Sequence, residues 1–216
     1  MKKAIVDVCD TLYFSNTTFD FLENIASGKF EYQLLALRKV RSLMLLNSFL
    51  FKLFKIDVYR RLCIYKIFSG KNVAKIKLES ELFYDNVLCG KEIIETHEII
   101  KKMSGDYQFI LCSASISPVV EVIAAKMGCE QFFSTCLITK NEVYTGQIVV
   151  DLLGKKNNYL RKANISYDLV ITDNKSDVDL IKHCKKAIII SREKNISFWN
   201  EFKLNNETIN IKVVIV

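Results

Sequence analysis

Two apolar runs, far apart in the chain, each end in carboxylates. Lys3-Ala4-Ile5-Val6 leads into Asp7, followed by Val8-Cys9-Asp10-Thr11-Leu12, and Leu169-Val170-Ile171-Thr172 leads into Asp173-Asn174-Lys175-Ser176-Asp177. The first run does not alternate strictly, which suits a strand buried on both faces at the centre of a parallel sheet. Acids at the exits of neighbouring parallel strands lie at the edge where α/β sheets bind ligands. Convergence of Asp7 with Asp173 is therefore expected, and with it a site for a cation and a phosphate.

The rest of the chain fits around that sheet. From residue 17 to 102 apolar residues recur at helical spacing, β-branched runs are absent, and Gly28 and Gly70 read as helix ends. Strand patterns resume at 107–112. Ser117-Pro118 then supplies an N-cap serine and a first-turn proline for a helix ending near Gly128. Residues 132–138 and 143–150 flank the turn-like Lys140-Asn141-Glu142, which predicts a hairpin. Helix 154–163, strand 168–172, helix 175–184 and strand 186–190 alternate as right-handed βαβ units do, and 209–216 reads as a last strand. Trp199 is expected to pack on the core. The expected fold is α/β: a Rossmann-like parallel sheet formed by residues 1–16 and 103–216, with an all-helical cap inserted at 17–102.

Composition narrows the class. Half of the 216 residues are apolar, enough for a substantial core, and one proline with seven glycines leaves no flexible linker. Seven cysteines without a CxxC pair read as reduced residues of a cytosolic protein. His97 and His183 lack paired ligand spacing, which disfavours zinc and His-assisted nucleophiles. The first strand is too short for a signal peptide's apolar region, and the apolar stretch 42–51 is about half of the ~20 residues needed to cross a bilayer. Export and a spanning helix are not expected.

Four motifs in order resemble the haloacid dehalogenase (HAD) superfamily, in its phosphoserine-phosphatase-like branch with a helical cap after the first strand. They are Asp7-Val8-Cys9-Asp10-Thr11, Ser113 in Leu111-Cys112-Ser113-Ala114-Ser115, Lys156 in Gly154-Lys155-Lys156, and Asp173 with Asp177. Three of the four match the family pattern. The resemblance implies a magnesium-dependent phosphatase acting on a small phosphorylated substrate, with Asp7 as the nucleophile that forms an aspartyl-phosphate. It implies Ser113 and Lys156 as phosphate clamps, with Thr11 and Ala114 beside them. Asp7, the Cys9 backbone carbonyl, Asp173 and Asp177 are the implied Mg2+ ligands, Asp177 directly or through water. Lys155 stays open as the alternative clamp, because the interval from the glycine is one residue shorter than in relatives. No residue of the insertion aligns to select an amino acid, so phosphoserine rests on the family alone.

The departure is Cys9, where such phosphatases carry a second Asp that protonates the leaving oxygen and later activates water. A thiol with a reference pKa of about 8.5 is mostly protonated at neutral pH and is a poor substitute. Asp10 is not expected to compensate, because neighbouring side chains near a strand exit point in opposite directions. Three readings stay open: a slow hydrolase, an enzyme that passes the phosphoryl group elsewhere or uses a substrate acid, and a degenerate site that only binds.

Between Lys29 and Lys77 twelve basic residues stand against two acids, Glu31 and Asp57, and leucines and phenylalanines interleave with them. Such a field attracts anionic ligands. The core of a cap is the commoner explanation of such a composition, but a helix lying on an anionic membrane surface shares it, so peripheral membrane contact stays open. Nucleic acid is not expected, since no recognised motif accompanies the charge.

Overall fold

The computed structural model describes all 216 residues. A first strand, β1 (Lys2–Val6), is followed by six α-helices before the next strand: α1 (Thr17–Ile25), α2 (Lys29–Ala36), α3 (Arg41–Phe54), α4 (Val58–Phe68), α5 (Val73–Phe83) and α6 (Ile94–Met103). Then come β2 (Tyr107–Ile116), α7 (Ser117–Lys126), β3 (Gln131–Lys140), β4 (Val143–Val150), α8 (Lys156–Lys162), β5 (Leu169–Thr172), α9 (Val178–Ile181), β6 (Lys186–Ser191), α10 (Ile196–Leu204) and β7 (Asn210–Ile215).

The strands form one sheet in the order β4-β3-β2-β1-β5-β6-β7. Every pair is parallel except the β3–β4 hairpin. β1 is central, with Val6 opposite Leu111 on one side and Ile171 on the other. The chain builds outward from β1 in one direction as far as β4 and in the other as far as β7. The crevice at the carboxyl ends of β1 and β5 is thus a switch point, where open α/β sheets take ligands.

Successive residues of the central strands point to opposite faces of the sheet, and both faces are buried. Ala4, Val6, Leu111 and Ile171 belong to one apolar cluster, while Ile5, Ile110 and Val170 belong to another on the opposite face. The first cluster runs without a break into Phe21, Ile64, Phe68, Ile76 and Phe83 of the inserted helices. The second is closed by α8, α9 and α10, with Trp199 fully buried in it.

The insertion also covers the sheet edge. Gly70 and Tyr144, Tyr144 and Lys71, and Val73 and Glu142 are joined by backbone hydrogen bonds of 2.9 Å, which satisfy groups that an edge strand otherwise leaves free. Gly146 makes this approach possible: a Cβ there would sit 2.5 Å from the Tyr65 carbonyl oxygen. Asn141 and Glu142 both have positive φ, the form of a two-residue hairpin turn.

Local expectations changed in four places. Ser117 is the first helical residue and Ile116 the N-cap, with no side-chain cap, because β2 continues through Ser113-Ala114-Ser115 beside β3. Gly28 starts α2 instead of ending α1. The helix expected at 175–184 is a 3₁₀ turn, Lys175–Asp177, followed by one turn of α-helix. β1, whose pattern covers roughly residues 2 to 8 of the sequence, stops at Val6, because Asp10 adopts a left-handed backbone that turns the chain. No helix is long and apolar enough to cross a membrane.

Candidate active site

Asp7 is the first residue beyond β1, and its amide is held by the Ile171 carbonyl at 3.0 Å, so the neighbouring strand places it. The side chain is buried. Asp7 Oδ1 accepts the Val8 amide at 2.8 Å, and Oδ2 lies 2.7 Å from Lys156 Nζ. Lys156 opens α8 just after Gly154, whose positive φ lets the chain turn into the helix. Its ammonium bridges Asp7 and Asp177, whose Oδ2 is 2.8 Å away. Burial alone would push the lysine pKa down, but the carboxylates of Asp177 and Asp7 outweigh it and hold the pKa above its ordinary value. Lys155 is only half-buried, at the N-cap position, and makes no ion pair in this cluster.

Asp173 leaves β5 beside Asp7. Its amide donates to Thr11 Oγ1 at 3.0 Å, and that hydroxyl donates to Asp173 Oδ1 at 3.1 Å. Thr11 is fully buried, and its hydroxyl ties the two strand exits together. Asp173 forms no ion pair, and its pKa is pushed up to about 7 by burial and then by the charge of Asp7. Three carboxylates, Asp7, Asp173 and Asp177, stand here around a single lysine, leaving negative charge that a cation would neutralise.

Asp177 Oδ2 accepts both Lys156 Nζ and Thr172 Oγ1, each at 2.8 Å, so it braces the lysine. No group of three acidic, thiol or imidazole side chains converges as a ready-made metal cage. Donors suited to magnesium are the Asp7 and Asp173 carboxylates and the Cys9 carbonyl, which accepts no backbone hydrogen bond.

On the other side of β1, Ser113 is buried and accepts the Ser115 amide at 3.2 Å. Cys9 Sγ sits between Ser115 Oγ at 3.1 Å and Thr17 Oγ1 at 3.2 Å. Burial, and then Asp7, pushes the thiol pKa up, so Cys9 is a neutral thiol among hydroxyls. Asp10 does not replace a carboxylate there. It turns away with φ of 49° and pairs with Arg192 at 2.7 Å. Both line a cavity of about 120 Å³ that Asp173 borders from the site side.

The sequence reading missed one buried cluster. Arg60 of α4 was counted with the basic field of the insertion, yet it is only 5% exposed. Nη1 meets Asp151 Oδ1 at 3.0 Å, while Nη2 donates to the Ala114 carbonyl and to Thr135 Oγ1. Arg61 takes the other Asp151 oxygen at 2.9 Å. Burial would raise the Asp151 pKa, but the two arginines hold it below the usual carboxylate range. Ala114, expected to face substrate, thus has its carbonyl engaged by the insertion. Adjacent basic residues carry no signal that one is buried; only the distant Asp151 decides it.

No family model and no curated protein matches this sequence. Solved structures do. A Bordetella pertussis Tohama I protein of unknown function superposes with a TM-score of 0.72 at 15% identity, covering 97% of this chain and 96% of the other. A substrate-bound phosphoserine phosphatase complex gives 0.61 at 15% identity, with 99% and 93% covered. A phosphoserine phosphohydrolase-like protein from Francisella tularensis subsp. tularensis SCHU S4 gives 0.60 at 18%, with 98% and 95% covered. At such identities the likeness is one of fold.

Proposed function

We propose that this chain, with the phosphoserine-phosphatase-like fold of the HAD superfamily, acts on a small phosphomonoester through an aspartyl-phosphate on Asp7. The observation that carries this reading is the pairing of Asp7 with Lys156 at 2.7 Å beside Asp173, a carboxylate with no cation of its own. One Asp7 oxygen bonds to phosphorus as the bond to the leaving alcohol oxygen breaks, which divides one difficult displacement into two. Lys156 holds Asp7 in place and meets phosphoryl charge. The Ser113 hydroxyl donates to a phosphoryl oxygen near the amino end of α7. Thr11 fixes Asp173, and Asp177 fixes Lys156.

Asp7, Asp173 and the Cys9 carbonyl would hold Mg2+, which supplies neutralisation of the charge on nucleophile and phosphoryl group. The second half of the reaction is where this chain departs from a full phosphatase. A neutral thiol neither accepts a proton from water as a carboxylate does nor readily protonates an alkoxide. General acid–base assistance typically contributes 10²- to 10⁴-fold, so release of phosphate is slow, or the phosphoryl group passes to another acceptor. Cys9 also favours one second reading, a site that binds a phosphate without turning it over.

Magnesium-dependent release of phosphate from an aryl phosphate, together with trapping of phosphoprotein, tests both. Wild type forms an acid-stable, hydroxylamine-sensitive phosphoprotein and Asp7→Asn does not. Absence of both products from wild type leaves the binding module.

A further inference from the structure

The helix α3 is anchored on one side and bare on the other. Met44 packs against the main core, Asn47 accepts the Tyr59 amide at 3.0 Å and donates to Asp57 at 2.9 Å, and Phe51 reaches Gly154. These positions recur at helical spacing and mark the inner face. None of the helix's fourteen residues is buried. Leu45, Phe49 and Leu53, each four residues after the last, share the outer face with Leu46, and all four are 56–62% exposed. Phe30 of α2 and Phe54 at the end of α3 are exposed as well. A contiguous apolar surface of this kind marks an interaction site.

We propose that this face docks on an anionic lipid bilayer. From Tyr32 to Ile56 the chain carries five cations and no acid. Arg38 is tied to Glu23 at 2.9 Å, whereas Lys39, Arg41, Lys52 and Lys55 are exposed and form no ion pair. Large aliphatic and aromatic side chains set among uncompensated cations suit a helix lying in the headgroup region, the leucines in the acyl boundary and the cations at lipid phosphates. A second copy of the chain fits worse, because a two-fold contact through this helix would bring its own cations together. The helix is about 21 Å long, which suits lying on the bilayer instead of crossing it. On the inner face, Phe51 sets the helix beside the candidate site: a Cβ on Gly154, two residues before Lys156, would stand 3.2 Å from its ring.

Sedimentation with extruded vesicles tests the inference independently of catalysis. With phosphatidylglycerol–phosphatidylcholine vesicles in 0.1 M salt the protein is expected to pellet, and with pure phosphatidylcholine at least tenfold less. Phe49→Ser with Leu53→Ser, and separately Lys52→Glu with Lys55→Glu, should each cut the bound fraction at least tenfold. Leu78→Ser, at an exposed leucine on α5, should leave it unchanged, and circular dichroism melts verify that each variant is folded. Failure of wild type to pellet, or equal pelleting by the Phe49/Leu53 variant, overturns the proposal. So does a concentration-dependent dimer in light scattering that the same variant abolishes, since the face would then join copies of the chain.

Discussion

Lys156 Nζ lies 2.7 Å from Asp7 Oδ2 and 2.8 Å from Asp177 Oδ2, so one buried ammonium spans the residue after β1 and the last residue of the 3₁₀ turn after β5. Removing a partner from a buried pair leaves uncompensated charge, which is costly. Lys156→Met is therefore expected to destabilise the fold by about 3 kcal/mol and to leave phosphate release undetectable, as read by urea unfolding and the aryl phosphate assay.

Asp7→Asn keeps the size and the Val8 contact of the side chain but removes the nucleophile. Its phosphate release should fall at least 10³-fold, while Lys156 keeps its pairing with Asp177. Retention of wild-type release by this variant would exclude the aspartyl-phosphate route.

Cys9→Asp supplies the missing acid between Thr17 and Ser115. Turnover should rise at least several-fold, within the 10²–10⁴ range of acid–base assistance. Unchanged turnover would show that this step is not limiting.

Asp173 carries the pH dependence. Its folded pKa is pushed up to about 7 from a reference of 3.8, so between those values the folded protein binds a proton that the unfolded chain does not. This stabilising contribution is complete below about pH 4 and is lost as pH rises through 7, by ~4 kcal/mol at most. Metal-free protein should therefore melt lower at pH 8 than at pH 5, with the slope reduced in Asp173→Asn. Magnesium should raise the melting temperature at pH 8 and have little effect at pH 5, where protons compete for the same carboxylate. Equal melting shifts at the two pH values would contradict this assignment.

The alternation of strands and helices, the all-helical stretch between β1 and β2, and the positions of Asp7, Lys156 and Asp173 at strand and helix ends were legible along the chain, whereas Ser113, expected just past a strand, lies inside β2. Local patterns carry that information: strand side chains alternate with a period of two, helix burial has a period near 3.6, and a strand exit is marked where the apolar run stops. Motif spacing left Lys155 and Lys156 as alternatives, because adjacent lysines look alike until one of them is enclosed by Asp7 and Asp177.

Sequence alone thus determined the class of sheet and which acids stand at its edge. Tertiary structure decided the partner of each group: Thr11 on Asp173, Asp177 under Lys156, Asp10 turned to Arg192, and Arg60 buried against Asp151 instead of adding to the basic surface. It also left one face of α3 bare, although its leucines and phenylalanines read more readily as cap core. The physical reason is range. Backbone periodicity is set by near neighbours, whereas burial of a charge or an apolar stripe depends on residues a hundred positions away that only folding brings alongside.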